Sequence, residues 1–113
     1  MDTAPADVVQ RQLEAYNAHD IDAFVACFAP DIRIFRMPSA APTLRGIEAF
    51  REHYAKHRFN IPGLHAVVLQ RMSMGNKVVD HERVTGLGDH PVEVAVVYEV
   101  EDGLIQKAWF YSG

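Results

Sequence analysis

Apolar residues recur at helical spacing through the first half of the chain and at every second position through the second half, so the sequence predicts helices first and strands after. Val9, Leu13 and Tyr16 predict a helix over 6–18, with Gln10, Arg11 and Glu14 on its polar side. Asp20 suits the N-cap of a short second helix over 21–28, which carries Ile21, Phe24, Val25 and Phe28. Cys27 reads there as a small hydrophobe. Over 32–37, Ile32, Ile34 and Arg36 alternate with Arg33, Phe35 and Met37, which predicts a strand. After Gly46 a third helix is predicted over 47–58. Its stripe is Ile47, Phe50 and Tyr54, bordered by His53 and His57, and Asn60 to Gly63 stops it.

From residue 64 the period is two. Strands are predicted over 64–74, 77–86, 92–101 and 104–111. Gly75-Asn76 and Asp102-Gly103 are signals for tight hairpin turns. Val92, Val94, Val96, Tyr98 and Val100 form one continuous face, which must line a core or a cavity. Three helices enclosing one strand, followed by an antiparallel meander, make an α+β domain. A strongly curved sheet with helices across its open side encloses a cone-shaped cavity.

The most informative stretch is 78–84, Val-Val-Asp-His-Glu-Arg-Val. Side chains alternate across a strand, so Asp80 and Glu82 share one face and His81 and Arg83 share the other. If one face is buried, its charged pair must find partners or neutralise. A solvated edge strand is the plain alternative, and a slip of one residue would turn His81 and Arg83 inward instead.

Composition narrows the function. The 113 residues fit one domain, 1–113, with a single core. The net charge is −4 and no basic stripe runs along a helix, so nucleic acid is not an expected partner. Cys27 is the one cysteine, which suits a reducing cytoplasm. Residues 1–7 have no basic region or apolar run of a secretory signal, and no stretch approaches membrane-spanning length. Gly86-Leu87-Gly88 precedes a strand, so it is no phosphate loop. His53 and His57 have metal-ligand spacing but no evident third ligand, so no metal is expected.

Four local strings carry a resemblance that spans most of the chain. Tyr16-Asn17-Ala18-His19-Asp20-Ile21-Asp22-Ala23-Phe24 resembles the helix 1 to helix 2 segment of nuclear-transport-factor-2-like proteins. Ala29-Pro30-Asp31-Ile32 resembles that family's entry to its first strand, Arg45 to Phe50 its third-helix start, and Glu101 to Ile105 its late turn. The nearest branch is the SnoaL-like proteins related to steroid delta-isomerases. The resemblance implies a cone-shaped α+β barrel, with a curved antiparallel sheet wrapped around three N-terminal helices. It also implies a homodimer through the outer sheet face, a pocket for an apolar or carbonyl-bearing small molecule, and no cofactor. It does not imply one reaction.

The resemblance also places the chemical positions of the ketosteroid isomerases. Their aspartate base falls at Arg36, which cannot act as a base. Their protonated aspartate falls at Val96, and their tyrosine near Gln12. These departures argue against steroid isomerisation by that mechanism. By the same alignment the pocket receives Tyr16, Arg36, Phe50, His53, His57, Asp80, Glu82, Val96 and Tyr98. The catalytic expectation is a His53–Glu82 acid–base pair with Arg36 as a fixed charge for an anionic group or oxyanion. Tyr16, Phe50, His57, Asp80, Val96 and Tyr98 would bind the ligand. The chemistry expected is isomerisation, cyclisation or dehydration next to a carbonyl. The alternative is a non-catalytic ligand-binding or protein-interaction module.

Overall fold

The computed structural model describes residues 4–112. Three helices come early: α1 (Pro5–Asn17), α2 (Ile21–Val25) and α3 (Ile47–His57). The strands are β1 (Phe28–Arg36), β2 (Leu44–Arg45), β3 (His65–Met74), β4 (Lys77–Thr85), β5 (Val92–Glu101) and β6 (Leu104–Ser112). They form one sheet in the order β2-β1-β6-β5-β4-β3. The fold is the α+β cone, with helices held against the concave face of a curved sheet that stays open between β2 and β3.

Three details differ from the sequence expectation, and the short β2 beside β1, where no strand is predicted, is one of them. The sheet is mixed, because β1 runs parallel to β6 while every other neighbouring pair is antiparallel. The chain also enters β1 four residues early. Phe28, expected in the second helix, is the first residue of the strand and pairs with Ile105. Asp20 caps α2 as expected, accepting from the Ala23 amide at 3.1 Å, but the helix ends at Val25. Pro30 has no N–H to give a ladder, and the β1–β6 register shifts between Phe28 and Arg33 around it.

Cross-strand partners share a face, so register decides what lies inside. Val78, Asp80, Glu82 and Val84 of β4 lie opposite Tyr98, Val96, Val94 and Val92 of β5. The inner row continues through Ala108 and Phe110 of β6 to Ile34 and Arg36 of β1. His81 and Arg83 face outward, and His81 Nε2 lies 2.6 Å from Glu93 Oε1 on the outer face. Trp109 is also outside, stacked on Phe35 at 5.6 Å, and Tyr111 is exposed.

Asp80 is fully buried. Arg71 of β3, directly opposite, holds it with two bonds: Nε to Oδ1 at 2.7 Å and Nη2 to Oδ2 at 3.0 Å. The third reach of the guanidinium, Nη1, donates to Gln10 Oε1 of α1 at 2.8 Å. The end of α1 is fixed as well. Asn17 Nδ2 donates to the Ala66 carbonyl and its Oδ1 accepts from the Ala66 amide, at 2.9 and 2.8 Å. At the far end of β4, Gly86 has φ +97° and packs so closely that a Cβ would meet the Gly63 carbonyl at 2.5 Å. That approach turns the chain toward Leu87 and on into β5.

Breaking one side of a buried ion pair leaves the other charge without compensation. Arg71→Met is expected to cost about 3–5 kcal/mol, because Asp80 has no access to water. Asp80→Asn is expected to cost less, since Arg71 is part-exposed and can turn outward. Urea denaturation of the two variants checks the order.

Candidate functional site

A cavity of about 180 Å³ lies between α1, the end of α3 and the inner faces of β4, β5, β6 and β1. Its walls are mainly apolar and aromatic: Leu13 and Tyr16 from α1, Phe24 from α2, and Val84, Val94 and Phe110 from the sheet. Leu87 and Val92, both exposed, line it on the side of the 86–91 loop. The polar groups that reach it are few, which is the usual balance of a small-molecule pocket.

Glu82 is the central one. It lines the cavity, yet its residue exposure is only 7%. The Tyr98 hydroxyl donates to Glu82 Oε2 at 3.1 Å, and Gln12 Nε2 donates to the Tyr98 oxygen at 3.3 Å. The result is a short relay, Gln12 to Tyr98 to Glu82, from α1 through β5 to β4. Among the described residues Glu82 Oε1 has no hydrogen-bond partner and Glu82 has no ion-pair partner.

Burial pushes the Glu82 carboxyl up from its ordinary 4.5 to about 7, helped by the negative charge of Asp80. The Tyr98 hydrogen bond and the Arg71 charge oppose that rise. The same burial, and the Glu82 charge, hold the Tyr98 hydroxyl well above the ordinary tyrosine range. So Tyr98 keeps its proton and serves as a donor, while Glu82 holds and releases a proton near neutrality.

The residues predicted for the site separate into three groups. Tyr16, Arg36, Glu82 and Tyr98 line the cavity. Asp80, Val96 and Phe50 are fully buried beside it as structure. Asp80 is bound to Arg71, and Phe50 stacks on Phe24 at 5.5 Å and tilts against Phe28 at 4.4 Å. His53 and His57 stay on the flank of α3. The structure does not pair His53 with Glu82, whose partner is Tyr98. His53 packs at 5.4 Å from both Tyr54 and His57, with its Nε2 buried and without a hydrogen bond. Burial lowers its pKa, and the nearby positive charges of Arg58, His57 and Arg36 lower it further.

Most lining residues fall outside the sequence prediction as ligand contacts, Gln12, Arg58, Leu13 and Phe110 among them. Gln12 was visible only as a departure from the isomerase pattern. Arg58 lies just past α3 in a non-helical conformation, φ −136° and ψ −60°, so helical periodicity says nothing about it. Leu13 belongs to the apolar stripe of the first helix, which does not separate core from cavity, and Phe110 lies on the inner face of β6, whose parity the alternation of β5 could have supplied.

For metals, among the described residues no group of three or more His, Cys, Asp or Glu side chains gathers at one place. No helix of the described residues is long and apolar enough to cross a membrane.

Comparison with known proteins agrees with this fold. No curated protein matches the chain in sequence. A nuclear-transport-factor-2-like protein of unknown function from Cytophaga hutchinsonii superposes with a TM-score of 0.84 at 17% identity, over 100% of this chain and 93% of that one. A protein from Kribbella flavida, provisionally named a ketosteroid isomerase, gives 0.83 at 20% identity, over 96% and 77%. One from Sinorhizobium meliloti, provisionally named a polyketide cyclase, gives 0.78 at 23% identity, over 92% and 93%. At such identities these likenesses speak to the fold. The SnoaL-like domain family matches residues 9–108, and the chain therefore belongs to the SnoaL-like branch of the nuclear-transport-factor-2-like fold.

Proposed function

We propose that the cavity binds a small, partly apolar, carbonyl-bearing molecule and that Glu82 moves a proton at the carbon next to the carbonyl. The reaction class is that of an isomerase, cyclase or dehydratase acting by acid–base chemistry. A single observation carries this assignment. Glu82 is a carboxyl group buried in an apolar cavity, left without a cation and poised near 7. A carboxylate with a purely structural task is treated differently here, as Asp80 and its two bonds from Arg71 illustrate.

Ionised Glu82 takes the proton from carbon, and the electron pair of that C–H bond moves onto the carbonyl oxygen as an enolate. The neutral acid then returns the proton to the same carbon or to a conjugated one. Tyr98 orients the carboxyl and supports its ionised form, and Gln12 orients Tyr98. Tyr16 and Tyr54 bring further hydroxyls to the cavity, and neither is hydrogen-bonded among the described residues. Either is suited to meet an enolate oxygen. His53 has no part in this scheme.

The proposal extends to a homodimer in a reducing cytoplasm. The outer sheet face supports the dimer: Val67, Met72 and Met74 of β3 are exposed there, beside half-buried Val79, Val97 and Trp109. Buried Cys27 supports the compartment. Sedimentation equilibrium of the 12.7 kDa chain is expected to give twice that mass, and Val97→Glu to give the monomer.

Two measurements test Glu82. With 3-cyclohexenone as probe, conversion to the conjugated enone is expected to rise with pH through about 7 and level off. Glu82→Gln is expected to slow it by at least about 10²-fold, while Tyr98→Phe slows it less and shifts the profile upward. An unchanged rate in Glu82→Gln would remove the assignment.

Stability gives the second reading. The folded-state pKa of Glu82 lies above its unfolded value, so folding holds the proton. Its contribution is complete below about 4.5 and is lost as pH rises through about 7. The stability of wild type minus that of Glu82→Gln is expected to fall by up to about 3 kcal/mol between those limits in urea titrations.

A further inference from the structure

We infer that the ligand of this cavity is a single-ring carboxylic acid, bound with its carboxylate at Arg36 and Arg58 and its ring against the aromatic wall. The inference rests on the small-molecule assignment above and names the class of molecule. Size sets the first limit. A dry apolar cavity of about 150 Å³ takes up benzene. At about 180 Å³, this one has room for one six-membered ring and a few substituents, and is too small to enclose a four-ring skeleton. The ring would meet Tyr16, Phe24, Phe28, Tyr54 and Phe110.

Charge sets the second limit. Among the described residues, the charged ones that line the cavity are Arg36, Arg58 and Glu82. The chain has 15 acidic residues against 11 basic ones, yet neither arginine is in an ion pair among the described residues. Arg36 is held over the Phe110 ring at 5.4 Å, and Arg58 donates from Nη1 to the His57 carbonyl at 2.8 Å. Each keeps most of its N–H donors for something else. They come from different elements, the end of β1 and the turn after α3, and both line the cavity, Arg36 exposed and Arg58 half-buried. His53, beside them, feels the same positive field.

The two polarities are set apart. β6 and β5 separate β1 from β4, which is three inter-strand steps of about 4.8 Å along the curved sheet. The charges that act on Glu82 are those of Asp80 and Arg71 rather than Arg36 and Arg58. A ligand carboxylate next to Glu82 would be buried beside a like charge, whereas at Arg36 and Arg58 it meets two cations near solvent. The anionic group therefore faces outward, and the ring presents its carbonyl substituent to Glu82.

Calorimetric titration with 3-oxocyclohexanecarboxylate, its neutral carboxamide and 4-androstene-3,17-dione tests the inference on the intact protein. Wild type is expected to prefer the acid over the amide by about tenfold at low salt, and by less as salt is added. Arg36→Gln combined with Arg58→Gln is expected to abolish that preference while amide binding persists. Glu82→Gln is expected to leave it intact. Equal binding of acid and amide by wild type, a preference that survives loss of both arginines, steroid binding as tight as the acid's, or no binding of either one-ring compound would each overturn it. The acid–base assignment fails separately, through unchanged enone isomerisation in Glu82→Gln, and that outcome leaves the acid preference standing.

Discussion

Two carboxylates stand two residues apart on the buried face of β4, and like charges so placed cannot both be ionised without help. The molecule treats them unequally. Asp80 receives the forked guanidinium of Arg71. Glu82 receives a neutral hydroxyl. Much else follows from this inequality. The guanidinium that satisfies Asp80 also reaches Gln10, so the ion pair sets where α1 lies on the sheet. The position of α1 brings Gln12 onto Tyr98. Glu82, in turn, carries both the repulsion of Asp80 and the cost of burial, and its proton affinity rises.

The cavity itself is what the core leaves unfilled. Phe24, Phe28, Phe50 and Tyr54 pack ring against ring between the helices and β1, with centroid distances between 4.4 and 5.5 Å. That cluster occupies much of the concave side, so only a modest chamber remains between it and the polar relay. A sheet closed into a full barrel would give every strand two neighbours. Here β2 and β3 remain edges, and the helices provide the missing wall.

Much of the frame was legible in the sequence because it rests on periodicity. The hydrophobic stripes gave the helices, and the two Gly-containing turns gave the hairpins. The hairpin even contained the key ion pair: counting outward from Gly75-Asn76 puts Arg71 opposite Asp80, as the register has it. The sequence left two parities open for 78–84, and the register with β5 turns Asp80 and Glu82 inward. What resisted reading was set by distance in sequence. The parallel β1–β6 pair has no local signature, and the β1 register shift around Pro30 moved Phe28 out of a helix into a strand. His53 precedes Tyr54 by one residue, about 100° around the helix. With Phe50 and Tyr54 in the core, its ring is carried to the flank. Tyr98 therefore holds the place expected of a histidine. Arg58 sits in a turn whose dihedrals no repeat encodes.

The fastenings of α1 have a consequence for how such a chain diversifies. Arg71 to Gln10, Asn17 to Ala66, and His19 Nε2 to the Leu64 carbonyl at 2.8 Å hold the helix to β3 and to the turn before it. None of these residues lines the chamber. The side chains of Leu13, Val84, Leu87, Val92 and Val94 shape the chamber and make no polar bonds. A lineage can therefore resculpt the wall, methyl group by methyl group, while the frame stays clamped. Changes of ligand become short steps at small cost in stability, and that is one physical route by which a single cone comes to serve many molecules.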